Sequence, residues 1–197
     1  MKLTLIDNRD SFTFNLVDAF RLAGAEVEVL RNSVDPEIAL ARAAGGAIIL
    51  SPGPGTPAEA GCCLELIALA KGELPLIGIC LGHQAIVAQA GGEVRRASSP
   101  VHGKVSALNH HHAGPFAGLP SPLSIGRYHS LCTPTAKVPD RFTVDADYEG
   151  MAMAVRDDAA LQLGLQFHPE SILTPRGQEL ITNLLRWAAQ PSARAAS

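Results

Sequence analysis

The sequence predicts an α/β fold: an open, mostly parallel sheet flanked by helices, with a more antiparallel second half. Three observations predict it. In the first half, short apolar runs alternate with segments whose apolar residues recur at helical spacing. Two of those runs, 46–50 and 75–79, are apolar without alternation, as strands covered on both faces must be. After Gly92 the rhythm changes, and strand-like runs follow one another with turns between them.

The elements follow in order. Residues 2–6 are a β-type run that ends at Asp7. Phe12, Leu16, Val17, Phe20 and Ala23 recur at helical spacing, and Gly24 stops that helix. Residues 26–30 and 46–50 read as the next two strands. A Pro/Gly loop leads to a helix over 60–71, a fourth strand over 75–79 and a helix over 82–90, closed by Gly91-Gly92. Residues 93–96, 104–108, 122–128, 142–146, 151–156 and 161–166 read as strands, expected to pack antiparallel on the same sheet. Leu180, Ile181, Leu184, Leu185 and Trp187 give a final amphipathic helix over 174–189. A parallel sheet of this kind places its ligands at the carboxyl ends of its strands.

Composition bounds the chemistry. The 197 residues are 47% hydrophobic and 18% charged, too apolar for a disordered chain. They fit one domain over 1–189, with 190–197 expected as a frayed tail. The charge, 16 − 19 = −3, argues against nucleic acid or an anionic membrane as the main partner. No run approaches the ~18 apolar residues of a membrane span. Asp7, Arg9 and Asp10 end the opening apolar run too early for a secretory signal, so a cytoplasmic location is expected. Cys62, Cys63, Cys80 and Cys132 are irregularly spaced, which fits a reducing compartment, and no CxxC pair exists to form a zinc ribbon.

Three motifs carry chemistry. Gly78-Ile79-Cys80-Leu81-Gly82 lies where a buried strand meets a helix and has the form of a nucleophile elbow. Flanking glycines let the chain turn sharply and expose the sulfur, while the helix N-terminus favours a thiolate. The Leu81 N–H is then placed to stabilise an oxyanion. Taken alone, the pattern fits a structural cysteine between packing glycines equally well. The second motif, Gln166-Phe167-His168-Pro169-Glu170, ends an apolar strand. His168 can serve as base and acid, and Glu170 can orient its ring. Two residues apart, they point to the same side of an extended chain, and Pro169 favours that extension at His168. The third, Ser51-Pro52-Gly53-Pro54-Gly55, follows another apolar strand and lets backbone approach a substrate closely. It lacks the Gly-Lys-Ser/Thr of a phosphate loop.

In this order the three motifs resemble the class I (triad-type) glutamine amidotransferases, from about Leu3 to Trp187. The segments at 6–16, 101–104 and 127–131 are similar to those of the small subunits of anthranilate synthase and aminodeoxychorismate synthase. The resemblance implies Cys80 as nucleophile, with His168 and Glu170 completing the triad. It implies backbone donors at Gly53 and Leu81, and glutamine held by Gly53, Pro54, Gly55, Gln84, Ser130 and Leu131. It implies a partner, in a heterodimer or heterotetramer, that binds chorismate and Mg²⁺ and receives ammonia, while this subunit needs no metal or cofactor. The product is then anthranilate, for tryptophan, or aminodeoxychorismate, for folate, or both. A stand-alone γ-glutamyl cysteine hydrolase is the less favoured alternative, and a non-catalytic scaffold fits poorly with all three triad positions filled. Arg9 stands where relatives often carry another residue.

Other residues are set aside. His110-His111-His112 reads as a surface loop, because consecutive histidines do not converge on one ion without irregular backbone. His83 is read as support for the elbow, His129 as near the glutamine-holding positions, and Cys62, Cys63 and Cys132 as packing residues. Lys104 is either a partner contact or a solvated hairpin charge.

Overall fold

The computed structural model of the protein describes residues 1–97 and 100–194. The chain runs β1 (Lys2–Asp7), α1 (Thr13–Leu22), β2 (Glu26–Arg31), α2 (Pro36–Ala43), β3 (Ala47–Leu50), α3 (Cys63–Ala70), β4 (Leu76–Ile79) and α4 (Leu81–Gln89). It continues through β5 (Arg95–Arg96), β6 (Lys104–Leu108), β7 (Leu123–Arg127), β8 (Leu131–Cys132), β9 (Thr143–Tyr148), β10 (Met151–Asp157), β11 (Gln162–Leu165) and α5 (Gly177–Arg194).

Among the described residues, seven strands form the main sheet in the order β2-β1-β3-β4-β11-β10-β9. The first five are parallel to one another, and β10 is antiparallel to both neighbours. Ile6 is registered with Leu50, Leu50 with Gly78, and Ile79 with Leu165. Four strands therefore end side by side, and the segments that follow them emerge at one edge.

Alternate residues of each strand serve opposite faces. Leu3, Leu5, Ile49, Ile77, Ile79, Leu163 and Leu165 pack on one side with Leu16, Val17 and Phe20 of α1 and Leu180, Ile181 and Leu184 of α5. Ile6, Ile48, Leu50 and Leu76 pack on the other with α2, α3 and α4. Each fully buried leucine or isoleucine contributes on the order of 1.5–3 kcal/mol. The strands that hold the site edge are thus fixed from both faces.

The structure corrects several expectations. Residues 93–96, 104–108 and 122–128 do not join the main sheet: β5 pairs with β8, and β6 with β7, as two small antiparallel ribbons. Residues 161–166 were expected to be antiparallel, but β11 pairs parallel with β4 and is the seam between the two halves. α2 was not anticipated. Asp35 caps it, its Oδ1 accepting from the Glu37 and Ile38 N–H groups, and Pro36 opens it. α5 begins at Gly177, later than 174, and reaches Arg194, beyond 189. Of the tail expected at 190–197, residues 195–197 lie outside the described residues. No helix of the described residues is long and apolar enough to cross a membrane.

Candidate active site

Cys80 joins β4 to α4 with φ +53° and ψ −101°. A non-glycine residue in such backbone costs about 1–3 kcal/mol and persists only where its surroundings impose it. Here they do. The Cys80 N–H donates to the Leu165 carbonyl at 2.8 Å, tying the turn to β11. A Cβ on Gly78 would lie 2.3 Å from the Gly82 carbonyl carbon, and one on Gly82 would lie 2.5 Å from the Leu50 carbonyl oxygen. Only hydrogen at both positions lets α4 start directly against β3 and β4. Leu81 is the first helical residue, so its N–H has no acceptor within the helix.

His168 enters the same edge from the end of β11. Its N–H donates to the Gly126 carbonyl at 3.1 Å, and its carbonyl accepts from Thr174 Oγ1 at 2.7 Å. Its Nδ1 is 2.7 Å from Glu170 Oε1, and the two side chains are 5% and 0% exposed. A carboxylate acceptor there fixes the proton on Nδ1. Nε2 is left as the ring nitrogen available to Cys80, and it has no other hydrogen-bond partner. Burial opposes charge on the ring, but the adjoining Cys80 side chain and then Glu170 outweigh it, holding the His168 pKa well above the usual histidine range. Glu170 Oε2 is buried without a partner. Half-buried Asp10 adds a second carboxyl near His168, its own pKa raised by burial.

Gly53, Pro54, Gly55, Cys80, Gln84, Ser130 and Leu131 line a single cavity of about 160 Å³, together with Tyr128 and His129. The positions anticipated for glutamine thus come together around the sulfur. Gly53 also lies against Leu81: a Cβ there would be 3.0 Å from Leu81 Cδ2 and 2.5 Å from Asn8 Cβ. Gly55 has φ +81°, and a Cβ on it would meet Glu59 Oε2 at 2.9 Å. Glu59 in turn accepts from the Thr56 N–H at 2.9 Å, so the loop is closed on itself. A larger cavity of about 380 Å³ opens beyond this loop, beside Asn8, Arg9, Asn32 and Glu59. It contains no nucleophile, and Asn8 and Asn32 are bonded to each other.

Several contributors had no role assigned from sequence. Asn8 buttresses the Ser51–Gly53 loop: its N–H donates to Ser51 Oγ at 2.8 Å and its Nδ2 to the Ser51 carbonyl at 2.9 Å. Tyr128 stands edge-on to the His168 ring at 5.1 Å, its hydroxyl 3.0 Å from Ser171 Oγ. Gln166 lies beside the sulfur, its Nε2 3.7 Å from Sγ. A polar residue ending an otherwise apolar strand was the available signal for it.

The residues set aside are also placed. His110 stacks on Phe116 and bonds the Pro120 carbonyl through Nε2, and its Nδ1 accepts from the His112 N–H. Among the described residues no three His, Cys, Asp or Glu side chains gather as a metal site. His83 is buried against β11, where a Cβ on Gly164 would lie 2.7 Å from its Nδ1, and burial lowers its pKa to about 4. His129 has its pKa lowered to about 4 by burial as well, and its Nδ1 donates to the Leu131 carbonyl at 2.9 Å. The Cys63 thiol donates to Asn8 Oδ1 at 3.3 Å.

Comparison with known proteins agrees with this geometry. The profile described as glutamine amidotransferase class-I matches residues 4–187. The chain is 49% identical over 197 residues to the anthranilate synthase component 2, pyocyanine specific, of Pseudomonas aeruginosa, covering 98% of each chain. It is 47% identical over 191 residues to the anthranilate synthase component 2 of Vibrio parahaemolyticus, covering 95% of this chain and 96% of that one. In fold it matches a crystal structure described as that of a putative GMP synthase protein from Thermoplasma acidophilum, with TM-score 0.87 at 24% identity, covering 100% of this chain and 98% of the other. The chain belongs to the class-I glutamine amidotransferases.

Proposed function

We propose that this chain is the glutaminase subunit of an anthranilate synthase, releasing ammonia from L-glutamine for a chorismate-binding partner in tryptophan biosynthesis. The observation that carries the reading is His168 held by Glu170 at 2.7 Å beside Cys80, on a cavity lined by Gly53–Gly55, Gln84, Ser130 and Leu131. The names of the curated relatives support the synthase assignment.

The steps follow from these groups. The Cys80 thiolate attacks the carboxamide carbon of glutamine. Negative charge moves to the carbonyl oxygen, facing the N–H groups of Gly53 and Leu81; one such donor is typically worth about 10²–10³ in rate. Protonated His168 gives its Nε2 proton to the departing nitrogen, and ammonia leaves a γ-glutamyl thioester on Cys80. Neutral His168 then takes a proton from water as the oxygen attacks the thioester. Glutamate departs, and the thiolate and imidazolium are restored, with one proton passing from the new acid to solvent. Glu170 keeps the ring in one orientation and stabilises its cation throughout. No step asks this chain for a cofactor, and Mg²⁺ is assigned to the partner with chorismate.

Ammonia is mostly protonated in water at neutral pH and is then no nucleophile, so its release is coupled to a docked partner. Phe12, 39% exposed, lies 5.7 Å from the Tyr128 ring and 6.4 Å from that of His168. Ile172 is 94% exposed just beyond Ser171. An apolar rim around the site suits a surface covered in the complex.

Cys80→Ser tests the reading in the complex with the synthase. Glutamine-dependent anthranilate formation is expected to fall at least about 10³-fold while ammonia-dependent formation is retained. Loss of both, or of neither, contradicts it. Formation of aminodeoxychorismate instead of anthranilate moves the assignment to the folate branch.

A further inference from the structure

Building on the proposed glutaminase reaction, we propose that Gln166 is a further catalytic residue, whose side-chain amide donates a hydrogen bond to the Cys80 sulfur and stabilises it as the thiolate. Gln166 follows β11, is 0% exposed, and has its main-chain N–H committed to the Met153 carbonyl at 2.9 Å. Its Nε2 lies 3.7 Å from Cys80 Sγ, a hydrogen-bonding distance for an atom as large as sulfur.

The orientation of the amide is set by its other end. Gln84 Nε2 donates to the Leu131 carbonyl at 3.2 Å and to Gln166 Oε1 at 3.0 Å. The Leu131 carbonyl can only accept, so it fixes Gln84 with its NH₂ towards Gln166. Turning the Gln166 amide over would set two NH₂ groups against each other 3.0 Å apart. The NH₂ of Gln166 must therefore face the sulfur. A thiol gains little from such a donor, whereas a thiolate gains a charge-assisted bond. His168 supplies the cation on the other side of the residue, so the ionised sulfur has two supports from the same short segment.

The arrangement also joins nucleophile to substrate. Gln84 and Leu131 both line the cavity. The chain Leu131–Gln84–Gln166–Cys80 therefore runs from its wall to the reacting atom. When the thioester forms, the sulfur loses its charge and the Gln166 donor loses most of its hold. The interaction thus favours the thiolate as leaving group when water releases glutamate.

The test is the pH dependence of Cys80 alkylation by iodoacetamide, read by mass mapping of the Cys80 peptide in the whole protein. Gln166→Met keeps length and neutrality but removes the donor. It is expected to raise the midpoint by about one pH unit, the size of a bond to a charged group. Gln166→Glu still accepts from Gln84 but turns a carboxylate to the sulfur, and is expected to raise the midpoint further. In the wild-type protein, the Gln166 side-chain amide proton resonance is expected to move downfield at the same midpoint. A folded variant with an unmoved midpoint, or an amide resonance unmoved through the titration, overturns the proposal. None of these readouts needs turnover. Failure of glutamine-dependent synthesis in the wild-type complex would overturn the proposed function alone, and an unmoved midpoint in an active enzyme would overturn the role of Gln166 alone.

Discussion

The carboxyl edge of the parallel sheet and the antiparallel ribbons beside it build the same cavity by different physics. The edge is buried on both faces and supplies Cys80 from β4 and His168 from beyond β11, placed by register and close-packed glycines. The ribbons include strands of two residues, β5 and β8, and supply the wall from Tyr128 to Leu131. Each region contributes a buried histidine, and the two have opposite electrostatics. His168 meets a carboxylate and a thiol side chain and is pushed towards the charged form, whereas His129 meets a carbonyl and is pushed by burial to a pKa of about 4. Burial alone does not decide the charge of an imidazole; its partners do.

The strongest way to break this contrast is to remove the carboxylate at the edge. Glu170→Gln keeps the size of the side chain but removes the charge that fixes the Nδ1 proton. Glutamine-dependent turnover is expected to fall by about 10²–10⁴-fold, as when a triad acid is neutralised. Steady-state kinetics in the complex check it, with ammonia-dependent synthesis as the control. A fall of less than about threefold would place the charge of His168 elsewhere.

The contrast is sharpened by pH. His83 and His129 have folded-state pKa values near 4, below the ordinary 6.5. The unfolded chain takes up protons that the folded chain refuses, so stability is lost as pH falls from about 6.5 towards 4, by on the order of 3 kcal/mol for each histidine. His168 acts oppositely: its raised pKa adds stability that is complete below about 6.5 and is lost as pH rises through the folded value. Urea unfolding between pH 4.5 and 8 should show the acid loss, and His129→Asn should shrink it. A stability flat across the acid limb, or unaltered by His129→Asn, would contradict the assignment of His129 as the neutral histidine.

What the sequence revealed divides along the same line. The edge was legible because its signals are local: continuous apolarity over 75–79, glycines around Cys80, and His168 and Glu170 two residues apart after a strand. The ribbons were only half legible. Alternation marked 104–108 and 122–128 as strands, but which sheet a hairpin joins depends on contacts that periodicity does not carry. β8 was missed because Leu131–Cys132 is too short to show a period. α2 was missed because its alanine-rich face gives weak contrast, although Asp35-Pro36 is a start signal. The role of Gln166 stayed hidden because it depends on Gln84, which is 82 positions away in the chain and 3.0 Å away in the fold.

The central claim is that one cysteine of the four is set apart by this convergence. Incubation with a glutamine-mimicking electrophile, followed by mass mapping of all four cysteines, tests it most directly. The account predicts a single adduct on Cys80, prevented by excess L-glutamine, with Cys62, Cys63 and Cys132 unmodified. An adduct on one of those three with Cys80 untouched, or labelling of Cys80 that glutamine does not slow, would contradict it.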